Sequence, residues 1–324
     1  MSDDAIEALD ETSRWHARKV TYFAGNWSQL SCLIPDFNIE DFKADGDAPA
    51  NPYRKTVVRL PRTPFEQPIP VETVSNTYTL AQHKEVAEKC FEGIRFARIA
   101  TSDLRCEVGL SELGEWMNLR IYFPEEFNYN PTDGKPLGLR VECFNSVDGS
   151  SRLVILLGWI RFICSNGMVI GETKAELRDT HDKHMNLKRV VEAVFDGLGK
   201  VGIDLDRLRR WEQRKIDEDK LRRWVNKTVT DAWNKKAACR VFHICLYGND
   251  VEIADPFAPG EATEKPVLER LKVDGAPDKA ENLYDVSQAL SWVATDRNNA
   301  EERIEWQSNI PSLVESLAQS VQIR

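Results

Sequence analysis

Between residues 104 and 164 the chain carries four strand-like runs with little room between them, and that spacing restricts the fold more than any other feature. Residues 104–110, 117–123, 137–144 and 152–164 each read as strands. Connections this short leave no space for a crossover helix, so successive strands must pair antiparallel. The run Asn145-Ser146-Val147-Asp148-Gly149-Ser150 joins two of them, because Asp-Gly supplies the positive φ that a tight hairpin needs. A second turn is expected at Ser165-Asn166-Gly167. The most continuously apolar run, residues 152–164, places this hairpin at the centre of the sheet.

Helical periods flank this block. Residues 80–96 repeat apolar side chains at Val86, Ala87, Cys90, Ile94 and, just beyond, Ala97. After Gly171 the period turns helical again, with one helix expected over 172–195 ending at Gly197 and Gly199, and a long charged helix or helix pair over 206–236. Residues 55–60 alternate as a strand before Pro61, Pro64, Pro68 and Pro70 interrupt the pattern, and 241–247 read as one more strand. Residues 248–281 carry nine acidic and four basic residues with four prolines, the composition of a long connection, and helices are expected over 282–295 and 300–320. The first fifty residues hold ten acids against four bases and read as a peripheral arm, with a helix over 3–22 capped by Ser2. The expected class is therefore α+β: an antiparallel sheet of hairpins packed by helices, followed by a helical C-terminal half. Its segments are an acidic arm (1–50), a sheet domain (51–175), a charged helical region (176–240) and a closing strand, linker and helices (241–324).

Composition removes several function classes. No stretch approaches the roughly 20 apolar residues that span a bilayer, since the longest apolar run, 153–160, is strand-sized. The acidic residues 1–10 lack a signal core, so a cytoplasmic protein without membrane contact is expected. Seven cysteines without a C-x-x-C pair suggest reduced thiols, not a disulfide framework or zinc cassette. The chain lacks the phosphate loop, the G-x-S-x-G elbow and the H-E-x-x-H helix, and no cofactor is implied.

Four constellations invite a chemical reading. Gly197-x-Gly199-x-x-Gly202 matches the dinucleotide fingerprint as text, but a helical pattern precedes it where a strand is required, so a helix end explains it better. His181 and His184, with Asp179 and Asp182 around them, stand at a spacing able to share a metal on a helix, although no third ligand is evident and a solvated helix start is the simpler reading. Cys164 suits a nucleophile with a histidine base only if it is accessible, and its apolar neighbours favour a structural cysteine. Residues 206–240 reverse the sign of an otherwise acidic chain of net charge −9, with twelve bases against six acids. There Leu208-Arg209-Arg210-Trp211 recurs as Leu221-Arg222-Arg223-Trp224, with Lys227 following. Arginines beside tryptophans suit phosphate contact with base stacking, yet Leu221, Trp224, Val225, Val229 and Ala232 also form a stripe that should face a core.

Thr73-Val74-Ser75-Asn76-Thr77-Tyr78-Thr79-Leu80 with His83-Lys84-Glu85 resembles the early motif of the phage/plasmid-like family called domain of unknown function 932. The hairpin from Asn145 to Ser150 is similar to that family's own, with Val147 where it often has histidine. Arg161-Phe162-Ile163-Cys164-Ser165-Asn166-Gly167-Met168 is similar to its following signature. Asn282-Leu283-Tyr284-Asp285-Val286-Ser287-Gln288-Ala289-Leu290, with Glu302-Arg303 after it, resembles its closing helix, so the likeness spans about residues 54–318. The resemblance implies a setting in phages, plasmids and prophages and carries no catalytic residue over.

Three functions follow as expectations. The first is a non-catalytic accessory protein that binds nucleic acid, single strands included, through Arg209, Arg210, Trp211, Arg222, Arg223, Trp224 and Lys227. The second is an inhibitor or partner of a host or phage protein complex, such as a defence system, whose basic surface an acidic chain complements. The third is a metal-dependent hydrolase built on His181 and His184. Any of the three is compatible with a homo-oligomer.

Overall fold

A computed structural model describes residues 7–15, 18–102, 104–161, 168–170, 177–248, 250–253, 269–272, 277–295, 297 and 300–319. Its elements in chain order begin with β1 (Glu7–Trp15), β2 (Arg18–Asn26), α1 (Trp27–Leu30), β3 (Phe37–Asp41), β4 (Arg54–Arg59), β5 (Ile69–Ser75) and α2 (His83–Phe96). The strands β6 (Arg105–Ser111), β7 (Trp116–Tyr122), β8 (Leu137–Ser146), β9 (Leu153–Arg161), β10 (Met168–Ile170) and β11 (Leu177–Asp179) follow. The helices α3 (Lys188–Gly199), α4 (Val201–Gln213) and α5 (Glu218–Trp224) lead into a π-helical stretch over Val225–Val229, then α6 (Thr230–Ala232) and α7 (Lys235–Tyr247). A ribbon of β12 (Asp250–Ile253) and β13 (Glu269–Lys272) precedes α8 (Leu283–Thr295) and α9 (Ala300–Gln319). The α+β class with a helical C-terminal half is thus present.

The larger sheet runs β1-β2-β6-β7-β8-β9-β10, with β11 also on β9, and the smaller runs β3-β4-β5. Strands β6 to β9 match the four runs that set the sequence reading, and Gly149 adopts φ +74° in the turn between β8 and β9. The chain divides into two compact units that cut across the segments set out above. One holds the described residues of Met1–Pro124, Arg140–Leu157 and Lys174–Lys200, the other those of Glu125–Leu139, Gly158–Thr173 and Val201–Arg324.

In the first unit, one sheet face is apolar: Cys106, Val108, Met117, Leu119, Ile121, Val141 and Cys143 are all inaccessible. Helix α2 covers this face with Val86, Ala87, Cys90 and Ile94 and sets the Cys90 thiol against Cys143, and α3 packs on α2. Each such side chain contributes about 1.5–3 kcal/mol by leaving water. The smaller sheet buries Phe37, Val57 and Val74 against Val147 of the β8–β9 turn. Pro70 is tolerated because β5 is an edge strand.

In the second unit α7 and α8 are buried nearly all round, through Ala237, Ala238, Val241, Phe242, Ile244 and Cys245 and through Leu283, Val286, Ala289, Leu290 and Val293. This explains one correction: residues 241–247 are helix, not strand, because tertiary burial overrides β-propensity and Asn234 caps α7 by accepting from the Ala237 amide at 2.8 Å. A second correction concerns residues 7–15 and 18–22, which form β1 and the start of β2 in place of a helix; β2 pairs with β6 and buries Val20, Tyr22 and Ala24, so this part of the arm is not peripheral. A third is the helix expected over 172–195, where Leu177–Asp179 is strand β11 and the helix starts only at Lys188.

Candidate functional site

The basic region lies on α4, α5 and the π-helical stretch. Asp217 caps α5 by accepting from the Lys220 amide at 2.9 Å. The two Leu-Arg-Arg-Trp copies do the same structural job: each buries its leucine and tryptophan and delivers an indole N–H to α9. Trp211 donates to Glu315 Oε1 at 2.9 Å and Trp224 to Ser316 Oγ at 2.8 Å. Trp211 and Trp224 are 4% and 5% exposed, so neither ring has a face free to stack on a base. That part of the expected interface is corrected.

The cations sort into two groups. Arg209 is paired with Asp206 at 3.0 Å, and Arg222 with Glu218 at 3.4 Å while lying 5.0 Å over the Phe242 ring. Arg210, Arg223 and Lys227 are exposed and form no ion pair among the described residues. Lys220 and Arg223 stand at i and i+3 on α5 and so share a face, and Lys227 follows in the π-helical stretch. The π-helical turn shifts the phase after Val225, which buries Trp233 where an unbroken α-helix would bury Ala232; Ala232 is exposed.

His181 and His184 stand in a turn, not on a helix, so the spacing argument for a shared metal fails. His181 is buried and tied to Thr79: its carbonyl accepts from the Thr79 amide at 3.1 Å, its Nδ1 lies 3.3 Å from the Thr79 carbonyl, and its ring stacks on Tyr78 at 5.3 Å. His184 is exposed, and its backbone N–H donates to Asp182. Among the described residues no group of three or more His, Cys, Asp or Glu side chains is placed to hold a metal. Cys164 and the turn after it lie outside the described residues. Gly197 and Gly199 lie in the last turn of α3 and not after a strand, and Gly199 and Gly202 have open space where a Cβ would go, so neither makes the close approach a pyrophosphate would require.

His83 meets Asn145 at the end of the larger sheet, joining two motif stretches that are far apart in sequence. The fully buried His83 accepts from Asn145 Nδ2 at 2.9 Å through Nδ1, which leaves the proton on Nε2 to donate to the Gly114 carbonyl at 2.9 Å. Burial lowers its pKa to about 4, and the nearby His181 pushes in the same direction. Beside it, Trp116 donates to Asp148 at 2.7 Å and the Tyr78 hydroxyl donates to the Ser146 carbonyl at 3.3 Å. Burial raises the Tyr78 pKa first and the Asp148 charge adds to it.

Sequence reasoning missed a second buried constellation. Glu107, Arg120 and Glu142 occupy matched positions on β6, β7 and β8, a ladder of charges directly across three strands. Arg120 reaches Glu107 Oε2 and Glu142 Oε1, each at 3.3 Å, and lies 4.5 Å over the Tyr22 ring. Tyr22 and Tyr122 donate to Asn118 and Glu107 at 2.9 and 2.7 Å, and Arg140 donates to Glu142 at 2.5 Å. Burial raises the Tyr122 pKa to about 12 against the pull of Arg140 and Arg120. Gly109 makes room for this network: a Cβ there would come within 2.6 Å of the Tyr22 ring. The signal was the alternation of Asn118, Arg120 and Tyr122 with Met117, Leu119 and Ile121, a pattern that also fits a wet face and so does not announce burial.

No curated protein and no solved structure matches the chain. A family model, Domain of unknown function (DUF932), matches residues 70–246. That stretch takes in the His83 and Asn145 motifs and the basic face of α5, and leaves the resemblance at residues 282–290 outside it. Covering more than half of the 324 residues, it shows that the chain belongs to the DUF932 family.

Proposed function

We propose that the chain is a non-catalytic nucleic-acid-binding accessory protein of a mobile element, gripping phosphates through Lys220, Arg223 and Lys227 with help from Arg210. One observation carries the reading: in a chain of net charge −9, Lys220 and Arg223 on α5 and Lys227 in the π-helical stretch after it form no ion pair among the described residues. A cation left without an acid partner keeps its charge available for a phosphate. The buried tryptophans remove base stacking from this interface, so binding follows the backbone and has little sequence preference.

Anisotropy titrations of labelled single-stranded and duplex oligonucleotides across a salt series test it. Binding that weakens steeply with salt in the wild type, and is lost in an Arg210→Ala/Arg223→Ala/Lys227→Ala variant of unchanged melting temperature, is the expected result. No binding at the lowest salt overturns it.

A further inference from the structure

The outer face of the β3-β4-β5 sheet carries a groove of about 600 Å³ that takes no part in the phosphate reading. Strand register builds its floor: Asn38, Val58 and Pro70 form one row across the three strands, and Glu40, Thr56 and Thr73 form the next. Residues Phe42 to Gly46 leave the end of β3 and wall one side, with Phe42 42% exposed. The volume falls within the range of small-molecule and peptide sites, roughly 300–1,000 Å³.

The rim is acidic. Asp41 is already neutralised by Lys55 at 2.5 Å, which with its hydrogen bond holds the Asp41 carboxyl below the usual carboxylate range. Glu40, Asp45 and Glu72 form no ion pair among the described residues, and only Lys43 opposes them at the rim. Glu40 and Glu72 stand on the two edge strands, about 10 Å apart across two strand spacings. Carboxylates on both banks of a floor that exposes Pro70 and part of Val71, with Val58 buried beneath, suit long cationic side chains, whose aliphatic stems lie on apolar surface while the charged ends reach acid.

We propose that this groove docks a basic, extended segment of a partner protein, with arginine or lysine residues two to four positions apart straddling Pro70 and Val71. Charge complementarity selects this occupant. An acidic segment would meet Glu40, Asp45 and Glu72 with only Lys43 to offset them, and a nucleic acid strand would be repelled for the same reason.

The test uses the full chain and labelled peptides of alternating arginine and valine, with glutamate-for-arginine peptides as controls. The wild type binds the basic peptide and not the acidic one. A Glu40→Lys/Asp45→Asn/Glu72→Lys variant, in which asparagine keeps the acceptor that Asp45 offers the Asp47 and Ala48 amides, binds the basic peptide at least tenfold more weakly while its melting temperature and oligonucleotide affinity stay the same. Equal affinity of wild type and variant overturns the proposal, as does equal binding of both peptides or no basic-peptide binding at millimolar concentration. Self-association that the same three changes abolish also overturns it, by assigning the groove to a second copy of the chain. The oligonucleotide arm keeps failure here distinct from failure of the phosphate reading.

Discussion

The charges on the β6-β7-β8 face and the charges on α5 have similar sequence signatures and opposite structural fates. Across the strands, Arg120 is buried between Glu107 and Glu142, and its charge balances theirs. Arg223 on α5 and Lys227 in the π-helical stretch after it are exposed and form no ion pair among the described residues. A buried ion pair contributes little net stability over an apolar pair but is expensive to break, because the surviving partner is left charged in a medium of low dielectric. An exposed cation contributes almost nothing to folding and keeps its charge for a ligand. Composition counts both alike, so the comparison has to be broken by mutation.

The largest difference is expected at the ladder. Arg120→Met should cost about 3 kcal/mol, since it leaves the buried Glu107 with only the exposed Arg105 at 3.4 Å while Glu142 keeps Arg140 at 2.5 Å, and chemical denaturation will measure it. Arg223→Met should stay within about 0.5 kcal/mol of wild type. Comparable losses at the two sites would mean that the ladder is wet, or that α5 is not free.

Next comes His83, where pH performs the perturbation. The folded pKa is about 4 against 6.5 for a free imidazole, so the native state binds fewer protons than the unfolded chain. Its contribution is present in full above about pH 6.5 and is lost as pH falls toward 4, about 3 kcal/mol in all. Melting curves between pH 7.5 and 4.5 should show this fall, and His83→Gln should flatten it. A variant with the wild-type slope would assign the loss to other groups.

Much of the fold was legible because its periods were honest. Strands β6 to β9 and helices α2, α8 and α9 each show a single period, and the Asp148-Gly149 turn shows its chemistry directly. Residues 241–247 misled because Val241, Phe242 and Ile244 fit a strand as well as a helix buried on every side. Residues 7–22 misled because a charged, mixed segment looks like a surface helix until a neighbouring strand claims it. The cation excess of the candidate site was visible too, and so was the apolar stripe holding Leu221 and Trp224. Which of two roles the tryptophans play was not, since a hydrogen bond to α9 is made roughly ninety to a hundred residues away in sequence. That bond gives a smaller test: Trp211→Phe removes a donor to a carboxylate and should cost about 2 kcal/mol, whereas Trp224→Phe removes a donor to a hydroxyl and should cost about 1 kcal/mol. Unchanged stability in both would mean the rings are held by packing alone.

The smallest effect on stability, and the sharpest on function, is expected among the cations themselves. Arg223 and Lys227 are exposed, whereas Arg209 and Arg222 already face Asp206 and Glu218. If phosphates are held by the first pair, Arg223→Ala and Lys227→Ala should each flatten the dependence of log affinity on log salt by about 0.7 for single strands, the signature of one fewer phosphate contact. Arg209→Ala and Arg222→Ala should move that slope less, because each arginine must first leave its carboxylate and its removal leaves that acid uncompensated near the strand. All four variants should melt within about 0.5 kcal/mol of wild type, so any change in slope belongs to binding. The measurement is a titration with one labelled oligonucleotide at four salt concentrations for each variant. Equal slopes across the four would show that the ion pairs seen on α4 and α5 do not decide which cations meet phosphate. A change confined to Arg209 and Arg222 would reverse the assignment and place the interface on the other arginine of each Leu-Arg-Arg-Trp copy.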